Sequence, residues 1–168
     1  MQNAASPVNV IIIGARGYSG LECARILLKH PKAKLIACFA TDANWSLSDY
    51  LPEPAALNIP VYGMEKLPEI LKSTHTSFLA TPVEISIECA QVCIDAKVNV
   101  SDLSGAFRLP KDIFEKTYGM EHKSSALLDK AVYGLVPFSA PVKASPILIS
   151  NPGCYATSVL MATIPLLK

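Results

Sequence analysis

Two features of this 168-residue sequence could do chemistry. One is Cys154, set directly after Asn151-Pro152-Gly153 and before an apolar stretch at 155–164 that reads as a helix. The thiolate, not the thiol, is the nucleophile, and a helix N-terminus favours negative charge. Free amides at such a helix start can also stabilise an oxyanion on a bound carbonyl. The other feature is Gly14-Ala15-Arg16-Gly17-Tyr18-Ser19-Gly20, between an apolar, β-branched run at 8–13 and a helical pattern at 18–29. Glycine is required where the backbone turns tightly and where a pyrophosphate must approach bare amides at a helix start. The spacing is G-x-x-G-x-x-G rather than G-x-G-x-x-G, so position carries the argument: the turn follows a buried strand and opens a helix. Dinucleotide binding is the expectation.

In such a site the end of the second strand meets the adenosine ribose. An acid there favours NAD, whereas a hydroxyl and a nearby arginine admit the extra phosphate of NADP. The candidates are Thr41, Asp42 and Arg16. The expected arrangement is NADP held through Thr41 and Arg16, with Asp42 turned to solvent. The remaining cysteines read as core: Cys23 and Cys38 lie in a helix and a strand. Cys89 and Cys93, four apart on one helix, have no further ligand at metal spacing, so no metal site is expected.

These residues need a scaffold to position them. Strands are expected at 8–13, 34–40, 76–80, 97–103 and 147–150, and helices at 18–29 and 83–96. On the 83–96 helix, Glu84, Glu88, Gln91 and Asp95 share one side, and Ile87, Ala90 and Ile94 the other. Strands alternating with such helices predict an α/β, Rossmann-like, doubly wound and mostly parallel sheet with helices on both faces. The proline-rich segments 42–64 and 108–145 read as irregular excursions from that sheet. The division expected is a dinucleotide-binding domain over 1–153, with 154–168 opening a catalytic domain.

Composition narrows the class further. Hydrophobic residues make up 51% and charged residues 17%, and the formal net charge is +1. That balance gives no electrostatic case for nucleic acid. No apolar stretch approaches the roughly 20 residues that span a bilayer, and the polar start lacks a signal-peptide pattern. Five cysteines with no disulfide-framework spacing suit a reducing cytoplasm.

Taken together, GARGYSG (14–20), FLATP (78–82), SDLSGAFR (101–108), YGMEH (118–122), AVYGL (131–135) and NPGCYAT (151–157) resemble the N-acetyl-gamma-glutamyl-phosphate reductase family, in order and over nearly the whole chain. The resemblance implies an NADPH-dependent reduction of N-acetylglutamyl phosphate, a small-molecule substrate, to the semialdehyde in arginine biosynthesis. By it, Cys154 is the nucleophile that forms a thioester. Gly14, Gly17 and Gly20, with the intervening Arg16, Tyr18 and Ser19, form the pyrophosphate turn. Thr81, Pro82, Ser104 and Gly105 are cofactor loops, and Arg108 anchors substrate. It also implies a homo-oligomer when full length, and a second domain that supplies the catalytic histidine. His30, His75 and His122 do not suit that role by motif, so this chain alone is expected to be inactive. Two rivals stand beside this reading. One is an aspartate-semialdehyde dehydrogenase-like reductase, against which SDLSGAFR and AVYGL argue. The other is a non-catalytic NADP-binding module.

Overall fold

The computed structural model describes residues 6–135, 138–139, 141–142 and 145–167. In chain order these form β1 (Val8–Ile13), α1 (Tyr18–Leu28), β2 (Ala33–Phe39), β3 (Val61–Tyr62), α2 (Leu67–Leu71), β4 (Thr76–Leu79), α3 (Val83–Asp95) and β5 (Asn99–Asp102). There follow α4 (Lys111–Tyr118), α5 (Ser125–Leu128), β6 (Ala131–Tyr133), β7 (Leu148–Ser150) and α6 (Cys154–Thr163).

The strands make one sheet in the order β3-β2-β1-β4-β5-β7-β6. Every described pairing is parallel. The chain runs outward from β1 through β2 to β3, then returns to place β4 on the other side of β1. The direction of winding therefore reverses between β1 and β4, where open sheets of this kind leave a crevice at the strand ends. The glycine turn leaves β1 and Thr81-Pro82 leaves β4, so both flank that crevice.

The period-2 alternation of β1 feeds two cores. Ile11 and Ile13 pack with Ile87, Ala90 and Cys93 of α3, Leu67 and Leu71 of α2, Phe114 of α4 and Leu127 of α5. Val10 and Ile12 pack on the other face with Ala24 and Leu27 of α1 and with Leu47, Leu51 and Ala56. The faces expected for the third helix hold: Ile87 and Ala90 are buried, and Glu84, Glu88 and Asp95 are exposed.

The two excursions are more ordered than their sequence suggests. Segment 42–64 contains two short 3-10 turns, Leu47–Asp49 and Pro54–Asn58, and the edge strand β3. Glu53 ties it to the end of α1 through Lys29 Nζ at 2.9 Å. Segment 108–145 contains α4, α5 and β6. A strand of two or three residues shows no alternation to read. Helix α4 is only eight residues long and fully buries Phe114 alone, with Tyr118 one turn on stacked against it, between Pro110 before it and left-handed Gly119 after it.

Gly14 carries the tightest steric constraint. Its φ is +86°, and a Cβ there would collide with the Ala80 carbonyl oxygen and lie 2.8 Å from Thr81 Cγ2. Gly119 also has positive φ, at +66°, but a Cβ there meets nothing within 4 Å. Gly119→Ala should therefore cost about 1 kcal/mol, the left-handed penalty alone. Gly14→Ala should cost roughly 3 kcal/mol or more, since strain and overpacking add. Urea unfolding of the two variants checks this; equal losses would contradict the steric reading of Gly14.

Candidate active site

The glycine turn is fixed from beneath. Gly14 and Ala15 both donate their N–H to the Phe39 carbonyl, at 2.9 and 3.2 Å, and Gly17 N–H donates to the Gly14 carbonyl at 3.2 Å. Gly20 is buried where a Cβ would strike the Gly14 carbonyl, so helix α1 sits directly on the turn. The residue before α1, Gly17, offers no side-chain cap to its first amides. A cleft of about 740 Å³ opens above, lined among others by Gly14, Arg16, Gly17, Thr41, Thr81 and Pro82. The structure thus brings residues from three separate loops into one cleft.

Three details differ from expectation. Ser104 and Gly105 are not among the residues lining this cleft; Ser104 is bonded to Asp102 and Gly105 is buried. Tyr18 and Ser19 do not line this cleft but a second one of about 750 Å³, beside Phe78, Ser101, Leu103 and Asn151. As the first residues of α1, they point their side chains along the other side of the helix. Asp42 is not simply turned to solvent. Its carboxylate lies 3.6 Å from Arg16 Nη1, with both side chains about half exposed, and it accepts the Asn44 N–H at 2.9 Å. The loop after β2 and the glycine turn are adjacent, so Arg16 finds Asp42 as a partner.

A second cluster forms at the ends of β5 and β7. Asp102 is fully buried; its carboxylate accepts the Ser104 N–H and the Ser104 hydroxyl, each at 3.0 Å. The Ser104 oxygen in turn accepts the Ala106 N–H at 3.0 Å. On the neighbouring loop, the Thr81 and Ser86 hydroxyls are 2.8 Å apart. Burial pushes the Asp102 carboxyl above its usual range, against the opposing pull of Ser104, Ser86 and Arg108. Gly105 is buried against the Tyr118 hydroxyl, which occupies the place a Cβ would take.

Asn151 joins this cluster to β7. Its backbone N–H donates to the Asp102 carbonyl at 2.9 Å, and its side-chain amide donates to the same oxygen at 2.8 Å and to Ser101 Oγ at 3.0 Å. Arg108 closes the arrangement: Nε donates to the Asn151 carbonyl at 2.8 Å and Nη2 to the Leu103 carbonyl at 2.9 Å. A Cβ on Gly153 would lie 3.2 Å from Arg108 Nη1, so the guanidinium lies against the turn that precedes Cys154. A guanidinium has five N–H donors, so these two bonds leave others for an anion. Arg108 also borders a cavity of about 540 Å³, with Lys111, Ser125 and Tyr133.

Cys154 is the first residue of α6 and is exposed. Helix α6 buries none of its residues. Of the histidines, His30 and His75 accept backbone N–H groups of Lys32 and Asn9, and His122 is buried behind the Arg108 segment. The assignment from sequence passed over Asp102, Ser86 and Asn151, all inside or beside quoted motifs. The signal available was D-x-S at 102–104, a spacing at which an aspartate accepts from the backbone two residues on.

The other cysteines are a contrasting set. Burial pushes Cys23 and Cys93 up to about 11 and Cys38 and Cys89 up to about 12. At neutral pH a thiol titrating near 11 holds on the order of 100-fold less thiolate than an ordinary one. Limiting iodoacetamide followed by peptide mapping should therefore mark Cys154 first. Equal labelling of any of the other four would contradict the burial argument.

Residues 9–143 match the family described as semialdehyde dehydrogenase, NAD binding domain. Among curated relatives, the N-acetyl-gamma-glutamyl-phosphate reductase of Geobacillus stearothermophilus is 41% identical over 164 residues, covering 96% of this chain and 47% of its own length. That of Idiomarina loihiensis is 38% identical over 170 residues, covering 96% and 50%. The chain thus spans about half the length of the curated relatives it matches. Among solved structures, aspartate semialdehyde dehydrogenase II from Vibrio cholerae shares the fold with a TM-score of 0.68 at 19% identity, covering 96% of this chain and 47% of its own. With a doubly wound parallel sheet, a glycine turn at its switch point and a family match over most of its length, this chain belongs to the semialdehyde dehydrogenase NAD-binding domain family.

Proposed function

We propose that this chain is the NADPH-binding half of a reductase that converts N-acetylglutamyl 5-phosphate to N-acetylglutamate 5-semialdehyde and phosphate, a cytoplasmic step of arginine biosynthesis. The observation that carries this reading is the Arg108–Asn151 join. It sets a cation with free donors against the turn that presents an exposed cysteine at a helix start.

The 740 Å³ cleft suits a dinucleotide. A Cβ is excluded at Gly14, and the uncapped first turn of α1 offers amides to a pyrophosphate. Thr81 and Pro82, after β4, line that cleft, and Ser104 and Gly105 follow the neighbouring strand β5. NADPH, held by the Gly14–Gly17 turn with Thr81 and Pro82, would supply a hydride to the acyl carbon. Cys154 Sγ bonds to that carbon, the bond to the phosphate oxygen breaks, and phosphate leaves with the electron pair. Cleavage of the C–S bond of the reduced adduct would return the thiolate to Cys154 and release the aldehyde. Arg108 holds the phosphate or a carboxylate through its free N–H groups. The cavity it borders is lined by Lys111, Asp129 and Ser125, with Lys111 also paired to Glu115 at 3.7 Å.

The substrate domain, the catalytic histidine and an oligomer interface are assigned to the other half of the full-length enzyme. In support, α6 leaves Tyr155, Val159 and Met161 exposed, an apolar surface that a packed neighbour would cover. On this reading, residues 1–153 form the dinucleotide-binding unit and Cys154 opens the catalytic one.

Steady-state rates of the full-length protein on both acyl phosphates, each with NADPH and NADH, test the proposal. N-acetylglutamyl phosphate should exceed aspartyl phosphate by about 100-fold or more in kcat/KM. NADPH should exceed NADH, and Arg16→Ala should narrow that gap about tenfold by removing a charge-assisted bond to the 2′-phosphate. Equal use of aspartyl phosphate would favour the aspartate enzyme. NADH matching NADPH would give the ribose to Asp42, and cofactor binding without turnover would favour a regulatory module.

A further inference from the structure

His122 sits in a place that packing alone does not explain. It is 1% exposed, and its ring meets Phe107 and Phe114 edge-on, with centroids 5.3 and 4.7 Å away. Nε2 lies 2.9 Å from the Ala106 carbonyl. A carbonyl only accepts, so Nε2 carries the proton and donates it. The other ring nitrogen, Nδ1, is buried with no partner among the described residues. The backbone N–H of His122 donates to Glu115 Oε1 at 3.2 Å, which fixes the ring's root on α4. A leucine would fill an aromatic clamp without leaving a buried nitrogen unpaired. The donor is therefore the feature that a packing role leaves unexplained.

The acceptor shows what the donor does. Ala106 donates its own N–H to Ser104 Oγ, which is bonded to Asp102. Two residues on, Arg108 reaches the Asn151 carbonyl and the edge of Gly153. We propose that His122 is a positioning residue: its Nε2–H bond to Ala106 holds the 104–108 segment from behind and so fixes where the Arg108 guanidinium meets the Cys154 turn. This deepens the function proposed above and rests on it. His122 is not among the described residues that line the 740 Å³ cleft, and its bond to Ala106 leads along the chain to Arg108.

The test separates ring from bond in the full-length protein. His122→Gln retains an N–H donor at a similar reach but loses the ring, whereas His122→Phe retains the ring but loses the donor. The readouts are KM for each substrate and hydrogen exchange at Arg108 Nε–H, identified in the NMR spectrum by its loss in Arg108→Lys. The phenylalanine variant should raise KM for N-acetylglutamyl phosphate at least tenfold, leave KM for NADPH within twofold, and speed Arg108 Nε–H exchange at least tenfold. The glutamine variant should stay within threefold of wild type on all three, even where its melting temperature is lower. If the phenylalanine variant behaves as wild type, or if the glutamine variant is the more impaired, the proposal is overturned. If the wild-type enzyme does not reduce this acyl phosphate, the functional reading fails. Exchange at Arg108 then decides the role of His122 by itself.

Discussion

The position of Cys154 depends on Asn151. β7 is only three residues long and pairs with β5 over Leu148–Ser150, too short a ladder to aim the chain that follows it. Asn151 extends the pairing by one residue with its backbone N–H, then doubles that bond with its side-chain amide on the same Asp102 carbonyl. Its own carbonyl is taken by Arg108. The direction in which Pro152-Gly153 leads to α6 is set there, and Cys154 follows. A substitution at Asn151 would remove its side-chain bonds to the Asp102 carbonyl and Ser101 Oγ, leaving the backbone N–H bond and the Arg108 bond to hold the turn.

Around that join the protein encloses a carboxyl whose charged form burial disfavours. Asp102 is fully enclosed, and desolvation of its charged form outweighs the hydrogen bonds and the nearby arginine. A carboxyl raised in the folded state contributes stability that is full below its unfolded pKa and is lost as pH rises through the folded one. At neutral pH it is therefore a cost. What the cost supports is order: Asp102 holds Ser104 by backbone and side chain, and its carbonyl holds Asn151. One residue thus fixes loops on two strands that must converge.

Much of this was legible in the sequence, for physical reasons. Buried parallel strands are continuous apolar runs, so β1, β2 and β4 were read within a residue of their ends. The glycine turn was legible because Gly14 has no alternative: positive φ and the Ala80 carbonyl exclude any side chain. Cys154 stood out from three buried cysteines and the half-buried Cys23 by its Pro-Gly turn and helix start. The short strands β3 and β6 and the helix α4 were not visible, since each is stabilised by neighbours rather than by its own pattern. Asp102 was overlooked although its D-x-S spacing was readable; Asn151 and His122 escaped for a different cause. Their roles are hydrogen bonds to backbone atoms of other segments, up to 49 residues away, and sequence spacing carries no trace of such partners. The Arg16–Asp42 pair escaped likewise, being a contact between two loops.

On the proposed function, this scaffold presents Cys154 for acyl transfer. The most direct measurement is mass spectrometry of the full-length protein, acid-quenched after mixing with N-acetylglutamyl phosphate in the absence of reductant. The account predicts a single N-acetylglutamyl adduct on the peptide containing Cys154, none in Cys154→Ser, and NADPH binding by that variant close to wild type. An adduct that persists in Cys154→Ser, or substantial turnover by that variant, would contradict the account.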